Sequence, residues 1–270
     1  MTMCVFWKDV ENNIHAATDS RLNNKTTTLD HCLKLSRLQC NVYDAGEDEL
    51  KKTVKLAVAF CGGFISSYTI KESLSEILDR VSLLPDSSSL SMSLIADVAL
   101  SVYKRIVPDI IDYALSGDSA CMFYLIGYCE NDKEMQMYKI GCQANTNGIG
   151  YSFTKDKCFA NKNYELDGSG ASFVRNQGNI DAIVHRYLKK DSRYGMLDLL
   201  QSVIDDDGCK SVGGAIQYAK CMPEGPSIYS MLKDDNGEIK YLRGGVDLNE
   251  MINETLGYNV MIEAQMIVRG

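Results

Sequence analysis

The chain has 270 residues, enough for one large domain or two small ones around a substantial core, with an ordinary globular composition. A formal net charge of −8 and no lysine- and arginine-rich run exclude a dedicated nucleic-acid binder, which needs a basic footprint. No apolar run approaches the roughly 20 residues of a membrane helix, so no membrane partner is expected.

In chain order, residues 3–7 and 14–18 read as strands joined by turn residues Asp9 to Asn13. A third strand is expected over 32–40 and a fourth over 54–60, joined by a long acidic hairpin insertion near 41–53. Two helices follow, over 65–81 and 90–107, the second carrying Leu94, Val98, Val102 and Ile106 at helical spacing. Strands at 121–129 and 135–141 flank a turn at Asn131 and Asp132, and a less regular Gly- and Asn-rich stretch covers 142–162. Helices are expected at 180–190 and 196–205 and strands near 215–221 and 227–232. A short helix at 248–256 and a strand at 260–268 close the chain. Strands, two helices, strands, two helices, strands is the order of an α+β fold, and a four-layer αββα sandwich fits it. A three-layer α+β domain would give a similar string.

Ten cysteines stand singly with no Cys-x-x-Cys pair, and only three histidines (His15, His31, His185) accompany them. Neither a zinc site nor a cofactor is expected, and the thiols read as reduced and mostly buried. The first residues mix Lys8, Asp9 and Glu11 with apolar neighbours, unlike a secretory leader, so a cytoplasmic protein is expected.

Thr2 follows the initiator methionine, and a small residue there permits removal of Met1. A hydroxyl beside its own α-amine, whose pKa is about 7.7–8.0, is a compact pairing of nucleophile and base. Alone, that signal is weak. The surrounding residues strengthen it: Thr2 to Asp9, a turn, then Ala17-Thr18-Asp19-Ser20-Arg21; Leu33-Lys34-Leu35; Phe60-Cys61-Gly62-Gly63; Asp167-Gly168-Ser169-Gly170; and Asp207 through Ser211-Val212-Gly213-Gly214. These five blocks, in this order, resemble proteasome β-subunits and their bacterial relatives in the N-terminal-nucleophile (Ntn) hydrolase superfamily.

The resemblance implies two antiparallel sheets between helix layers, in one domain with a C-terminal extension from about residue 225. It also implies roles. Thr2 Oγ would attack a carbonyl, the Lys34 charge would favour the deprotonated nucleophile, and Asp19 would hold the lysine. The Gly62 N–H would serve an oxyanion, while Ser169 and Asp207 would orient the Thr2 amine, with Asp205 and Asp206 as alternatives for the last. A threonine-type endopeptidase acting on peptides or proteins follows, assembled as a homo-oligomer such as a ring and served by a separate ATPase. An Ntn amidase for a small amide and a non-catalytic scaffold subunit are the competing functions. Each motif also has a plain structural role to set against this, such as a surface lysine for Lys34 or a strand-to-helix bend for Gly62-Gly63. Cys4 is a rival nucleophile, requiring cleavage after Met3.

Overall fold

The computed structural model describes residues 2–23, 27–45, 49–83, 89–114, 120–146, 150–235, 237–250 and 265. The strands are β1 (Met3–Lys8), β2 (Ile14–Thr18), β3 (Leu22–Asn23), β4 (Thr28–Leu29), β5 (Leu35–Asp44) and β6 (Leu50–Gly62). Helix α1 (Phe64–Leu78), β7 (Val81–Leu83), α2 (Met92–Ala114), β8 (Cys121–Cys129), β9 (Glu134–Ala144), β10 (Tyr151–Lys157) and β11 (Tyr164–Gly168) follow. Then come α3 (Ser169–Gln177), α4 (Ile180–Lys190), α5 (Gly195–Ile204), β12 (Gln217–Met222), β13 (Gly225–Tyr229), β14 (Met231–Asp235), β15 (Glu238–Arg243) and β16 (Val246–Asp247).

Period-two alternation decides where the side chains go. Along β1, Met3, Val5 and Trp7 enter one apolar cluster with α3, α4 and α5, while Cys4 and Phe6 enter another. Along β6, Leu56, Val58 and Phe60 pack with α1 and α2, whereas Ala57, Ala59 and Cys61 join Cys4 and Phe6. Strands that bury both faces read as near-continuous apolar runs, as β1 and β8 do. Small side chains at Ala16, Ala57, Ala59 and Ala219 let the two sheets approach each other.

One sheet runs β11-β1-β2-β12-β13 and the other β10-β9-β8-β6-β5-β7; β14-β15-β16 form a small third sheet and β3-β4 a hairpin. The fold is mixed α+β. The expectation of purely antiparallel sheets is corrected at one edge, where β7 runs parallel to β5. The stretch 142–162, expected to be irregular, instead completes β9 and forms β10, an edge strand whose Lys155-Asp156-Lys157 content disguised it. The described parts of the acidic segment, 41–45 and 49–53, belong to the far end of the β5–β6 pair, with a register shift at Val42/Tyr43.

Helix α2 passes through Pro108, where the sequence suggested a stop. Its buried stripe is Met92, Ile95, Ala96, Ala99, Val102 and Tyr103, leaving Leu94 exposed. Most of the expected helix at 248–256 and all but residue 265 of the expected strand at 260–268 lie outside the described residues.

Candidate active site

The first turn fixes where β1 and β2 begin and end. Asp9 Oδ1 accepts from the N–H groups of Glu11 and Asn13, and Asn12 takes a positive φ of 61°. The resulting antiparallel pairing sets Cys4 opposite Thr18, so the residue after the strand, Asp19, returns to the start of β1. There the Met3 N–H donates to Asp19 Oδ1 at 3.0 Å, and Arg21 and Gly213 donate to Asp19 Oδ2 at 3.2 and 3.1 Å.

Lys34 lies immediately before β5, not within a strand as expected, and its side chain is fully buried. Its Nζ donates to Asp19 Oδ1 at 2.9 Å and to the Arg21 carbonyl at 2.5 Å. A lysine is seldom removed from water unless its charge is matched, and here a carboxylate and a carbonyl match it. Gln217, on β12, fixes the backbone beneath it. Its Oε1 accepts from the Lys34 and Leu35 N–H groups, and its Nε2 donates to the Cys32 carbonyl.

On the other side of Thr2, β11 ends at Gly168 and α3 begins at Ser169. The Thr2 N–H donates to Ser169 Oγ at 3.2 Å, and Ser169 Oγ lies 2.8 Å from Ser211 Oγ. Gly168 has φ +89°, and a Cβ there would sit 2.0 Å from the Thr2 carbonyl oxygen. Only glycine allows that approach. Gly62 has φ +98° and abuts the Ala120 carbonyl, where a Cβ would lie 2.6 Å away. Gly213 and Gly214 face the Arg21 guanidinium and Ser20 Oγ at distances that also leave no room for a side chain.

Thr2, Gly62 and Ser169 line one cleft of about 1150 Å³, with Leu22 and Leu29 of the β3–β4 hairpin, Phe64 and Ile65 at the start of α1, and Asp167 on β11. A smaller cleft of about 330 Å³, bounded by Arg37, Lys55 and Pro226, shares none of these residues. Cys4 is fully buried, and burial, with the hydrogen bond to Cys61, pushes its thiol well above the usual range. Cys121, in the cleft, is pushed up to about 12 by burial. Cys4, unlike Thr2, does not line the cleft, which counts against it as the rival nucleophile.

Thr2, Gly62 and Ser169 share the cleft wall, and Asp19, carrying Lys34, is bonded to the Met3 N–H next to Thr2. Asp207 does not join them. It is exposed along with Asp205 and Asp206, because Asp206 closes a turn onto the Gly208 N–H and Asp205 pairs with Gln201 on α5. Ser211, four residues on, is the group that reaches Ser169. Ser211 and Gln217, which bond to Ser169 and to the Lys34 backbone, were not among the residues singled out from the sequence. Ser211 stood inside a motif already noted, whereas nothing in the local sequence distinguishes Gln217 from a surface glutamine. Among the described residues no group of three or more His, Cys, Asp or Glu side chains is arranged to hold a metal ion, and no helix is long and apolar enough to cross a membrane.

Comparison with solved structures agrees with this arrangement at the level of fold. The chain is similar to the Anbu complex from Pseudomonas aeruginosa, solved as a helical assembly, with a TM-score of 0.57 at 18% identity over 87% of this chain and 88% of that one. It is also similar to Anbu (ancestral beta-subunit) from Yersinia bercovieri, with a TM-score of 0.52 at 17% identity over 84% and 86% of the two chains. The fold is similar to that of Anbu. No protein-family model and no curated protein matches the chain. The resemblance to proteasome β-subunits drawn from the sequence is thereby corrected: the likeness found is to Anbu structures, at an identity that speaks for fold alone.

Proposed function

We propose that this chain is an N-terminal threonine peptidase that hydrolyses amide bonds through a Thr2 acyl-enzyme. The observation that carries the reading is the fully buried Lys34–Asp19 pair, bonded through Asp19 to the Met3 N–H, the residue next to Thr2 on the cleft wall. Removal of Met1, which lies outside the described residues, converts the Thr2 amide nitrogen beside Ser169 Oγ into an α-amine. That amine takes the Oγ proton as Thr2 attacks the carbonyl and returns it to the leaving amine. The Lys34 ammonium lowers the cost of the alkoxide, the Gly62 N–H receives the oxyanion, and Ser169 with Ser211 orients the amine. Water then hydrolyses the acyl-enzyme by the reverse proton path.

A four-layer αββα sandwich is the architecture proposed for this catalyst, as one domain with the 41–53 hairpin as an insertion and the chain from about 225 as an extension. Its support is the division of the core into three apolar clusters, one between the sheets and one between each sheet and its helices. The chain acts as a homo-oligomer in this reading, supported by the helical assembly named for the Pseudomonas structure.

The kinetic test compares wild type, Thr2→Ala and Thr2→Ser on internally quenched peptides and on small acyl anilides. Turnover lost in Thr2→Ala and kept at a reduced rate in Thr2→Ser is expected. Undiminished hydrolysis by Thr2→Ala would sink the mechanism. Turnover of anilides without peptides would redirect it to a small-molecule amidase.

A further inference from the structure

We infer that the turn at Gly244–Gly245 is a clasp on the segment that delivers Lys34, with His31 as a positioning residue for the reaction. The inference rests on the reading of Thr2 and Lys34 given above, and it assigns a part to the C-terminal sheet that the catalytic groups leave unexplained.

Residues 30–33 lead from the β3–β4 hairpin to Lys34, and each is tied to another part of the chain. The Asp30 carbonyl accepts from Ser20 Oγ at 2.6 Å, and its carboxylate holds the Arg21 guanidinium through two bonds of 2.6 and 2.8 Å. Cys32 N–H donates to the Ser20 carbonyl at 3.0 Å, and the Leu33 carbonyl accepts from Tyr68 Oη at 3.0 Å. These ties come from β2 and its following residues and from α1. His31 is tied instead to the C-terminal sheet. Its Nδ1–H donates to the Gly245 carbonyl at 2.7 Å, which fixes the tautomer because a carbonyl can only accept.

The turn is shaped for this contact. Gly244 and Gly245 join β15 to β16 with φ of +60° and +84°. A Cβ on Gly245 would lie 2.8 Å from the Asp30 carbonyl oxygen and 2.9 Å from His31 Cα, and one on Gly244 would press on Leu33 at 3.1 Å. The turn thus lies flat on the backbone of 30–33, at a distance only glycine permits. Pressure on this segment acts on two parts of the site at once. Lys34 is the next residue along, and Asp30 anchors the hairpin whose Leu22 and Leu29 form a cleft wall. Positioning within a fraction of an ångström governs how strongly the Lys34 charge acts on Thr2.

The test compares wild type, His31→Ala and His31→Asn by kcat, KM and the pH dependence of kcat/KM, with peptide-level hydrogen exchange over residues 30–36. Asparagine can place an amide N–H near the position of Nδ1 and restore the bond to Gly245. His31→Ala is expected to lower kcat roughly fivefold, the rate equivalent of one net hydrogen bond, with KM little changed. It should also move the ascending limb of the pH profile upward and speed exchange over 30–36, and His31→Asn should reverse all three. An unchanged kcat and pH limb in His31→Ala, or an asparagine variant no better than alanine, would overturn the clasp. If the wild-type chain shows no Thr2-dependent turnover, the reading of Thr2 fails and exchange alone decides. Protection lost with alanine and regained with asparagine supports the clasp; protection unaltered by either removes it.

Discussion

Asp19 is bonded by Lys34 Nζ and by three backbone N–H groups, so the two partners of this ion pair are not equivalent. Removing Asp19 strands a buried ammonium and three amide donors together. Removing Lys34 leaves a carboxylate that keeps three donors. Asp19→Ala should therefore cost about 3–5 kcal/mol of stability and clearly more than Lys34→Met, which fills the same space without charge. Urea unfolding of the two variants gives the ranking, and equal losses would mean the amide bonds matter little. His15 makes a second test. It is completely buried, stacked on Trp7 at 4.9 Å, with Nδ1 at 2.7 Å from Tyr218 Oη and Nε2 at 3.0 Å from Asp9 Oδ2. Burial lowers its pKa, the Asp9 contact opposing, and Lys220 and Arg193 add to the lowering. The unfolded chain thus binds a proton that the folded chain refuses, so stability is full above an unfolded pKa of about 6.5 and is lost as pH falls below it. Burial alone would raise Asp9, but hydrogen bonds from His15 and Asn13 hold it at about 2, which deepens the loss under acid conditions. His15→Gln should flatten the fall in urea midpoint between pH 7.5 and 5.5; an unaltered slope would show that other groups carry it.

Among the elements, the strands whose faces are both buried were the most legible. β1 and β8 are apolar at almost every position, and their bounds differ little from those expected from the sequence. Helix α4 was also legible, its bounds matching the expected 180–190, and the structure adds a cap at Asn179, whose side chain accepts from Ala182 N–H at 3.1 Å. What the sequence hid has physical causes. β10 is an edge strand with polar side chains on both sides, so it carries no hydrophobic alternation. The helical stripe of α2 was placed one residue off because apolar residues occur on both faces of that helix. Its continuation past Pro108 depends on tertiary packing, since Val107 and Ile111 are buried on either side of the proline. That proline leaves the Lys104 carbonyl without its helical donor, a cost of about 3 kcal/mol in an ideal helix interior. Pro108→Ala should raise the melting temperature; a lower one would show that the proline ring contributes more through packing than the missing bond costs. The candidate site was legible where glycines and short polar motifs mark it. Asp207 misled because the block reaches the site through Ser211, while all three aspartates stay exposed around the turn that Asp206 closes onto Gly208.

For the molecule as a whole, the outward faces of the α1–α2 pair carry Ile65, Ile77 and Leu94 exposed to solvent. Apolar side chains of this size on adjacent elements fit burial against a neighbouring copy. The chain should elute above its 30.0 kDa monomer mass in light-scattering chromatography, and Ile77→Asp or Leu94→Asp should return it to monomer. A monomeric wild type would place the site in a free subunit and remove assembly from the account. The central claim, however, is that the chain matures to a terminal threonine nucleophile, and intact-protein mass spectrometry tests it most directly. The protein is weighed before and after exposure to an epoxyketone or boronate probe, with Thr2→Ala as control. Loss of Met1 and a single adduct on Thr2, absent from the control, is the expected result. Retained Met1 with no adduct, or an adduct that persists in Thr2→Ala, would contradict the account.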